Sequence, residues 1–149
     1  MKRFRFNLEK VLELRQFNEQ EAKNELGRAI SILNGIEAKI KKNTDLHSQA
    51  RHERFEGINA SGSAGAPSGP ASMMSWDAYI LRLEQEAQRL AEEAAQAELF
   101  IEEKRVLYLE ASRELKVMEK LREKREAEYR KESLAADTRT LDDLWREKE

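Results

Sequence analysis

The stretch WDAYILRLEQEAQRLAEEAAQAELFIEEKRVLYLEASRELKVM, residues 76–118, decides the fold because it carries one long apolar stripe at helical spacing. Alternating steps of four and three residues along it land on apolar side chains at every position except Lys104. These positions are Trp76, Ile80, Leu83, Ala87, Leu90, Ala94, Ala97, Ile101, Lys104, Tyr108, Ala111, Leu115 and Met118. A strand would need a period of two, so the stripe predicts a coiled-coil helix, from about residue 76 to about residue 146.

A second stripe with the same spacing lies earlier in the chain. It begins at Ala22, and its apolar members are Ala22, Leu26, Ala29, Leu33, Ile36 and Ile40. The next four positions are Asn43, His47, Ala50 and Arg54. Only Ala50 among them is apolar, so the stripe weakens toward the end of the predicted helix. The pattern predicts a first helix over about residues 7–56, and the protein is therefore expected to be all-α.

The segment between the stripes, GINASGSAGAPSGPASMMS at residues 57–75, holds four of the six glycines and both prolines. Such a composition is typical of a flexible loop. Two apolar stripes joined by this loop predict an antiparallel coiled-coil hairpin, with residues 1–149 forming one domain. The tether gives the intramolecular partner a high effective concentration. A parallel dimer of two long helices remains the alternative.

The two predicted helices differ in length. A fold centred near residue 66 pairs residues whose numbers add to about 132, which places Asn7 opposite Arg125. The second helix then overhangs the first by about 20 residues, or about 30 Å at 1.5 Å per residue. The segment ELKVMEKLREKREAEYRKE, residues 114–132, becomes almost wholly charged near the point where the first helix is expected to run out. A solvated helix or a protein contact suits such residues better than a dry seam does.

The composition excludes several classes of function. Charged residues make up 38% of the chain, yet the net charge is −2, so no general attraction to nucleic acid or anionic lipid follows. The chain has no cysteine, which fits a reducing compartment, and it has no stretch of about 20 apolar residues that could span a membrane.

No sequence motif points to catalysis or to a cofactor. The chain lacks a glycine-rich phosphate loop and a nucleophile elbow. His47 and His52 are five residues apart, which does not place two ligands on one helix face, so no metal site is expected. We therefore expect a protein that is not an enzyme and that needs no cofactor.

Three quoted segments, taken together and in order, resemble the family of the flagellar export protein FliJ. They are FRFNLEKVLELRQFNEQEAKNEL near the start, WDAYILRLEQEAQRL at the opening of the second helix, and MEKLREKREAEYRKE followed by LDDL near the end. The similarity spans nearly the whole chain, with the Gly/Ala/Ser/Pro segment at the position of the family's variable hairpin loop.

The resemblance implies a cytoplasmic component of the flagellar type III export apparatus, located at the inner face of the membrane at the flagellar base. It further implies a stalk that enters the hexameric export ATPase FliI and promotes ring assembly. Contacts with the cytoplasmic domain of the export gate FlhA and with flagellar export chaperones are also implied. The ATPase-facing residues that the resemblance implies are Phe4, Phe6, Leu8, Val11, Leu12, Arg15, Lys120, Leu121, Lys124, Arg125 and Tyr129. A gate-facing end is implied near Tyr79 and Leu83.

Other functions are compatible with a coiled-coil hairpin. The equivalent stalk of a virulence type III secretion system would share the fold, and a general coiled-coil scaffold or holdase chaperone would need no ATPase partner. A nucleic-acid-binding arm would use Lys116, Lys120, Lys124 and Lys131, but the glutamates interleaved with these lysines argue against a phosphate-binding surface.

Overall fold

Two helices make up the protein in the computed structural model, which describes residues 3–59 and 70–148. Helix α1 is Glu9–Asn59 and helix α2 is Pro70–Arg146. The helices pack against each other and the described residues contain no strand, which confirms the predicted all-α helical hairpin. The chain divides into two compact units. The first unit comprises Met1–Glu25 and Arg105–Glu149, and the second comprises Leu26–Lys104.

The predicted stripes supply the core of both units. The buried apolar side chains all lie on the two stripes or on their continuation by the same steps: Leu12, Ala29, Ala50, Leu83, Leu90, Ala97 and Ile101. Alanine at three of these positions leaves room for the facing helix to come close. Among the seam positions predicted for α2, Ala87 is exposed, and its neighbour Glu86 is partly covered instead.

Polar side-chain pairs between the helices report their register. In the second unit, His47 Nε2 lies 3.3 Å from Glu84 Oε1, and Arg54 Nε lies 2.7 Å from Asp77 Oδ1. In the first unit, Arg15 pairs with Glu114. The residue numbers of each pair add to within about three of 132, so the pairing matches the antiparallel register predicted from the position of the loop.

The ends of the helices at the predicted loop differ from expectation. Helix α1 continues to Asn59, and α2 begins at Pro70 instead of near Trp76. Proline is well tolerated in the first turn of a helix because its missing N–H would have no intrahelical acceptor there. The rest of the predicted loop, residues 60–69, lies outside the described residues.

In the first unit, helix α2 also extends beyond the start of α1. It has 77 residues against 51 in α1. In the first unit, Glu9 at the start of α1 lies 3.6 Å from Arg122 on α2, measured between Oε1 and the nearest guanidinium nitrogen. Helix α2 then runs on to Arg146, about 24 residues or about 36 Å further. Within the described residues, neither helix has a stretch apolar and long enough to cross a membrane.

Candidate partner-binding end of the hairpin

The segment before α1, residues 3–8, is called here the arm. It has no helical structure through Phe6 and closes into a turn at Asn7 and Leu8. The Glu9 amide donates to the Phe6 carbonyl at 3.2 Å, and the Leu12 amide donates to the Leu8 carbonyl at 2.9 Å as the first bond of the helix. The arm therefore enters α1 through a hydrogen-bonded turn.

Side chains of the arm alternate between two environments. Phe4 and Phe6 are partly buried, whereas Arg3, Arg5 and Asn7 are exposed. Successive side chains of an extended backbone point to opposite sides, so the Phe-x-Phe spacing puts both aromatic rings on one side of the arm. The arm thus presents its rings to the protein and its arginines to solvent.

Helix α2 provides the surface on which the arm rests. The Phe4 and Tyr129 rings lie with their centroids 5.5 Å apart and their planes tilted by 46°. This distance is within the range of favourable aromatic pairs. Tyr129 falls on the continuation of the α2 seam, beyond the start of α1. The arm therefore covers α2 over the first turns of the overhang.

An open groove of about 550 Å³ lies between the arm and α2. Its lining combines apolar, basic and acidic side chains, namely Arg3, Phe4, Arg5, Phe6, Asn7, Leu8, Leu121, Arg125, Glu128, Tyr129 and Glu132. Six of the residues that the family resemblance placed at the ATPase-facing end are among them: Phe4, Phe6, Leu8, Leu121, Arg125 and Tyr129. Apolar surface with charged groups at its edges is suited to holding part of another protein.

The remaining residues of the predicted ATPase-facing set occupy different environments. Leu12 is only 2% exposed, so it supports the end of the hairpin from inside. The Arg15 guanidinium is bound to the Glu114 carboxylate across the helices. Val11, Lys120 and Lys124 are exposed. The predicted set is therefore divided between core, inter-helix pairing and accessible surface.

The last turns of α2 carry apolar side chains that the sequence-based site did not include. Leu134, Leu141, Leu144 and Trp145 are each more than half exposed, and Trp145 is 73% exposed. Most helix stability in proteins comes from packing an apolar face. Exposed apolar groups on a helix of this kind often mark an interaction surface.

The predicted gate-facing residues lie in the second unit. Leu83 is 8% exposed and belongs to the core. Tyr79 is partly exposed and meets the Trp76 ring edge-on, with ring centroids 6.1 Å apart. Of the two, only Tyr79 offers surface to a partner, and its contact with the gate stays a prediction.

Two paired side chains elsewhere on α2 have shifted pKa values. The Arg89 guanidinium donates to the Glu86 carboxylate, one turn earlier, and this hydrogen bond lowers the pKa of Glu86 and raises that of Arg89. Arg89 also donates a hydrogen bond to the Glu93 carboxylate at 2.8 Å. Among residues 3–59 and 70–148 no group of three or more potential metal ligands occurs.

These features define a class of protein, a coiled-coil hairpin with an exposed, mixed apolar and charged end of the kind used in protein–protein contacts. The family model for the flagellar FliJ protein matches residues 4–147, and the chain belongs to that family. No curated protein and no solved structure gives a significant match. Family membership makes the chain a component of flagellar type III export.

Sequence reasoning missed the contact between the arm and α2. The predicted site includes Phe4 and Phe6, but not the packing of Phe4 on Tyr129. The signal was present in the spacing, because Phe4 and Phe6 are two residues apart and flanked by charged or polar residues. A period of two over four or five residues indicates an extended segment with one covered side.

Proposed function

We propose that this protein acts as the stalk of the flagellar export ATPase. The end of the hairpin formed by the arm, the start of α1 and the overhang of α2 enters the hexameric FliI ring and promotes its assembly. Family membership supports a role in export, and the contact with the ATPase is the further step that we propose.

The observation that carries the proposal is the unequal length of the two helices. Within the first unit, α2 continues for about 36 Å beyond Arg122, the residue that faces the start of α1. The overhang ends in exposed Leu141, Leu144 and Trp145. A helix that extends past its partner and exposes apolar side chains at its tip is suited to insertion into a central hole lined by several subunits.

Coupling to the export gate and to chaperones completes the proposed role. We assign the contact with the FlhA cytoplasmic domain to the second unit, near Tyr79, whose ring is accessible. Chaperone binding is proposed without assigned residues. In this role the protein works at the cytoplasmic face of the membrane at the flagellar base, and its loss reduces secretion of flagellar subunits and motility.

A pull-down with purified FliI tests the ATPase contact. The wild-type chain is expected to retain FliI. Arg125→Glu reverses a charge in the groove and is expected to weaken binding on the order of tenfold, which corresponds to about 1.4 kcal/mol. Arg51→Glu is the matched control, because Arg51 is also exposed on a helix but belongs to the second unit.

Two outcomes would count against the proposal. Failure of the wild-type chain to bind FliI would exclude the stalk role and favour a general scaffold or holdase. Equal loss of binding in Arg125→Glu and Arg51→Glu would show that net charge matters and that the groove does not.

A further inference from the structure

We propose that the arm, residues 3–8, is a removable strap that covers the seam face of the α2 overhang in the free protein and must leave it when the ATPase binds. The inference deepens the proposed function and rests on it for the identity of the partner. It concerns the regulation of the binding end: the same aromatic side chains contact α2 in the free chain and become available to the ring when the strap opens.

The first argument is the difference in packing between the arm and α1. Phe4 and Phe6 are only partly buried, and an open groove of about 550 Å³ remains between the arm and α2. Six residues after Phe6, Leu12 is 2% exposed in the helical seam. The arm is thus held by a few side chains, whereas the helix behind it is anchored in the core, and weakly packed segments open locally at low free energy.

The second argument is the surface that the arm covers. Leu121 and Tyr129 are partly buried beside the arm, and the seam steps through Met118 reach this same face of α2. Removal of the arm would expose the Tyr129 ring past the start of α1, beside the charged seam positions Arg122 and Arg125. An aromatic ring flanked by arginines is typical of surfaces that bind another protein.

The third argument is the arm's own chemistry. Arg3 and Arg5 are exposed at the groove while Phe4 and Phe6 are partly buried, and residues 3–6 have no regular secondary structure. One turn, closed by the Glu9 amide and the Phe6 carbonyl, connects the arm to α1. A rotation within this turn would move both rings away from α2 without breaking any bond of the helix.

Chemical modification of tyrosine tests the strap in the protein alone. The chain has three tyrosines, and Tyr79 and Tyr108 serve as internal controls for Tyr129 under iodination mapped by mass spectrometry. Phe4→Ala with Phe6→Ala is expected to raise the rate at Tyr129 about fivefold or more, with little change at the other two, because only Tyr129 loses its cover. Phe17→Ala is the matched control, because Phe17 is 60% exposed and does not line the groove, and it is expected to leave all three rates unchanged.

A cross-link tests whether the strap must open. The chain has no cysteine, so Arg3→Cys with Glu132→Cys, both lining the groove, can be joined specifically by a short bis-maleimide. The cross-linked protein is expected to lose stimulation of FliI ATP hydrolysis. The same variant capped with a monofunctional maleimide is the reference, and it is expected to stimulate FliI more than the cross-linked protein does. The difference between the two separates the effect of the closed strap from that of the two substitutions.

The outcomes distinguish the strap from the stalk. Equal Tyr129 rates with and without Phe4 and Phe6 would overturn the strap, and so would full stimulation by the cross-linked protein. If the wild-type chain itself fails to stimulate FliI, the proposed function fails. The iodination rates then still show whether the arm covers Tyr129. The claim that the arm must open for FliI fails together with the proposed function.

Discussion

Truncation of Leu12 to alanine should destabilise the first unit strongly. Leu12 is the most completely buried large side chain among the described residues, at 2% exposure. The substitution removes three carbon atoms, worth about 2.4 kcal/mol at about 0.8 kcal/mol per methylene. Leu→Ala changes in protein cores cost about 2–5 kcal/mol once the cavity is included. A two-helix core has solvent nearby to fill part of the cavity, so we expect a loss of about 3 kcal/mol.

Urea unfolding followed by circular dichroism at 222 nm measures this loss. Leu14→Ala is the matched control, because Leu14 lies in the same helix but is 55% exposed, and it should cost less than about 0.5 kcal/mol. The reasoning fails if Leu12→Ala costs less than about 1 kcal/mol, because a loss that small would be close to the effect of a surface substitution. It also fails if the two variants unfold at the same urea concentration.

Three other substitutions probe the seam, the first helix and the perturbed carboxylate. Asn43→Leu replaces the buried polar residue of the α1 seam and should raise the urea midpoint, because a polar seam residue fixes register at a cost in stability; an unchanged or lower midpoint would contradict this. Gly27→Ala should stabilise by about 0.5–1 kcal/mol in the same assay, since the added Cβ meets no atom within 4 Å; a loss of stability would mean that the helix is strained there. The hydrogen bond from Arg89 lowers the pKa of Glu86. The stabilising effect of this bond is therefore present at neutral pH and is lost as the pH falls through the lowered pKa of Glu86. An NMR titration of Glu86 in wild type and in Arg89→Gln should show the midpoint move up in the variant, and identical midpoints would refute the assignment.

The sequence predicted the helices and their pairing because a long heptad stripe is compatible with few structures other than a coiled coil. Once the loop is located, the register follows from chain reversal, and the pair His47 with Glu84 lies where that rule puts it. Ala87 departs from the prediction. A stripe of exact heptads drifts by about 20° per heptad relative to a straight helix, so side chains near its edge move between covered and exposed.

The boundaries of the helices and the path of the arm could not be predicted in the same way. Small residues such as those of the predicted loop have weak preferences for one secondary structure over another. The start of α2 at Pro70 therefore depends more on the tolerance of proline in the first turn of a helix than on any apolar pattern. The arm has only two apolar side chains, and its position on α2 depends on a tertiary contact between Phe4 and Tyr129, 125 residues apart in the chain. Spacing within the arm indicates which side is covered but not which element covers it.

ATP hydrolysis and ring formation by purified FliI, measured with and without this protein, test the central claim most directly. The account predicts that the wild-type chain raises the hydrolysis rate and the fraction of FliI in hexamers, and that Arg125→Glu does so more weakly than Arg51→Glu. Hydrolysis and hexamer formation that are the same with and without the wild-type chain would contradict it.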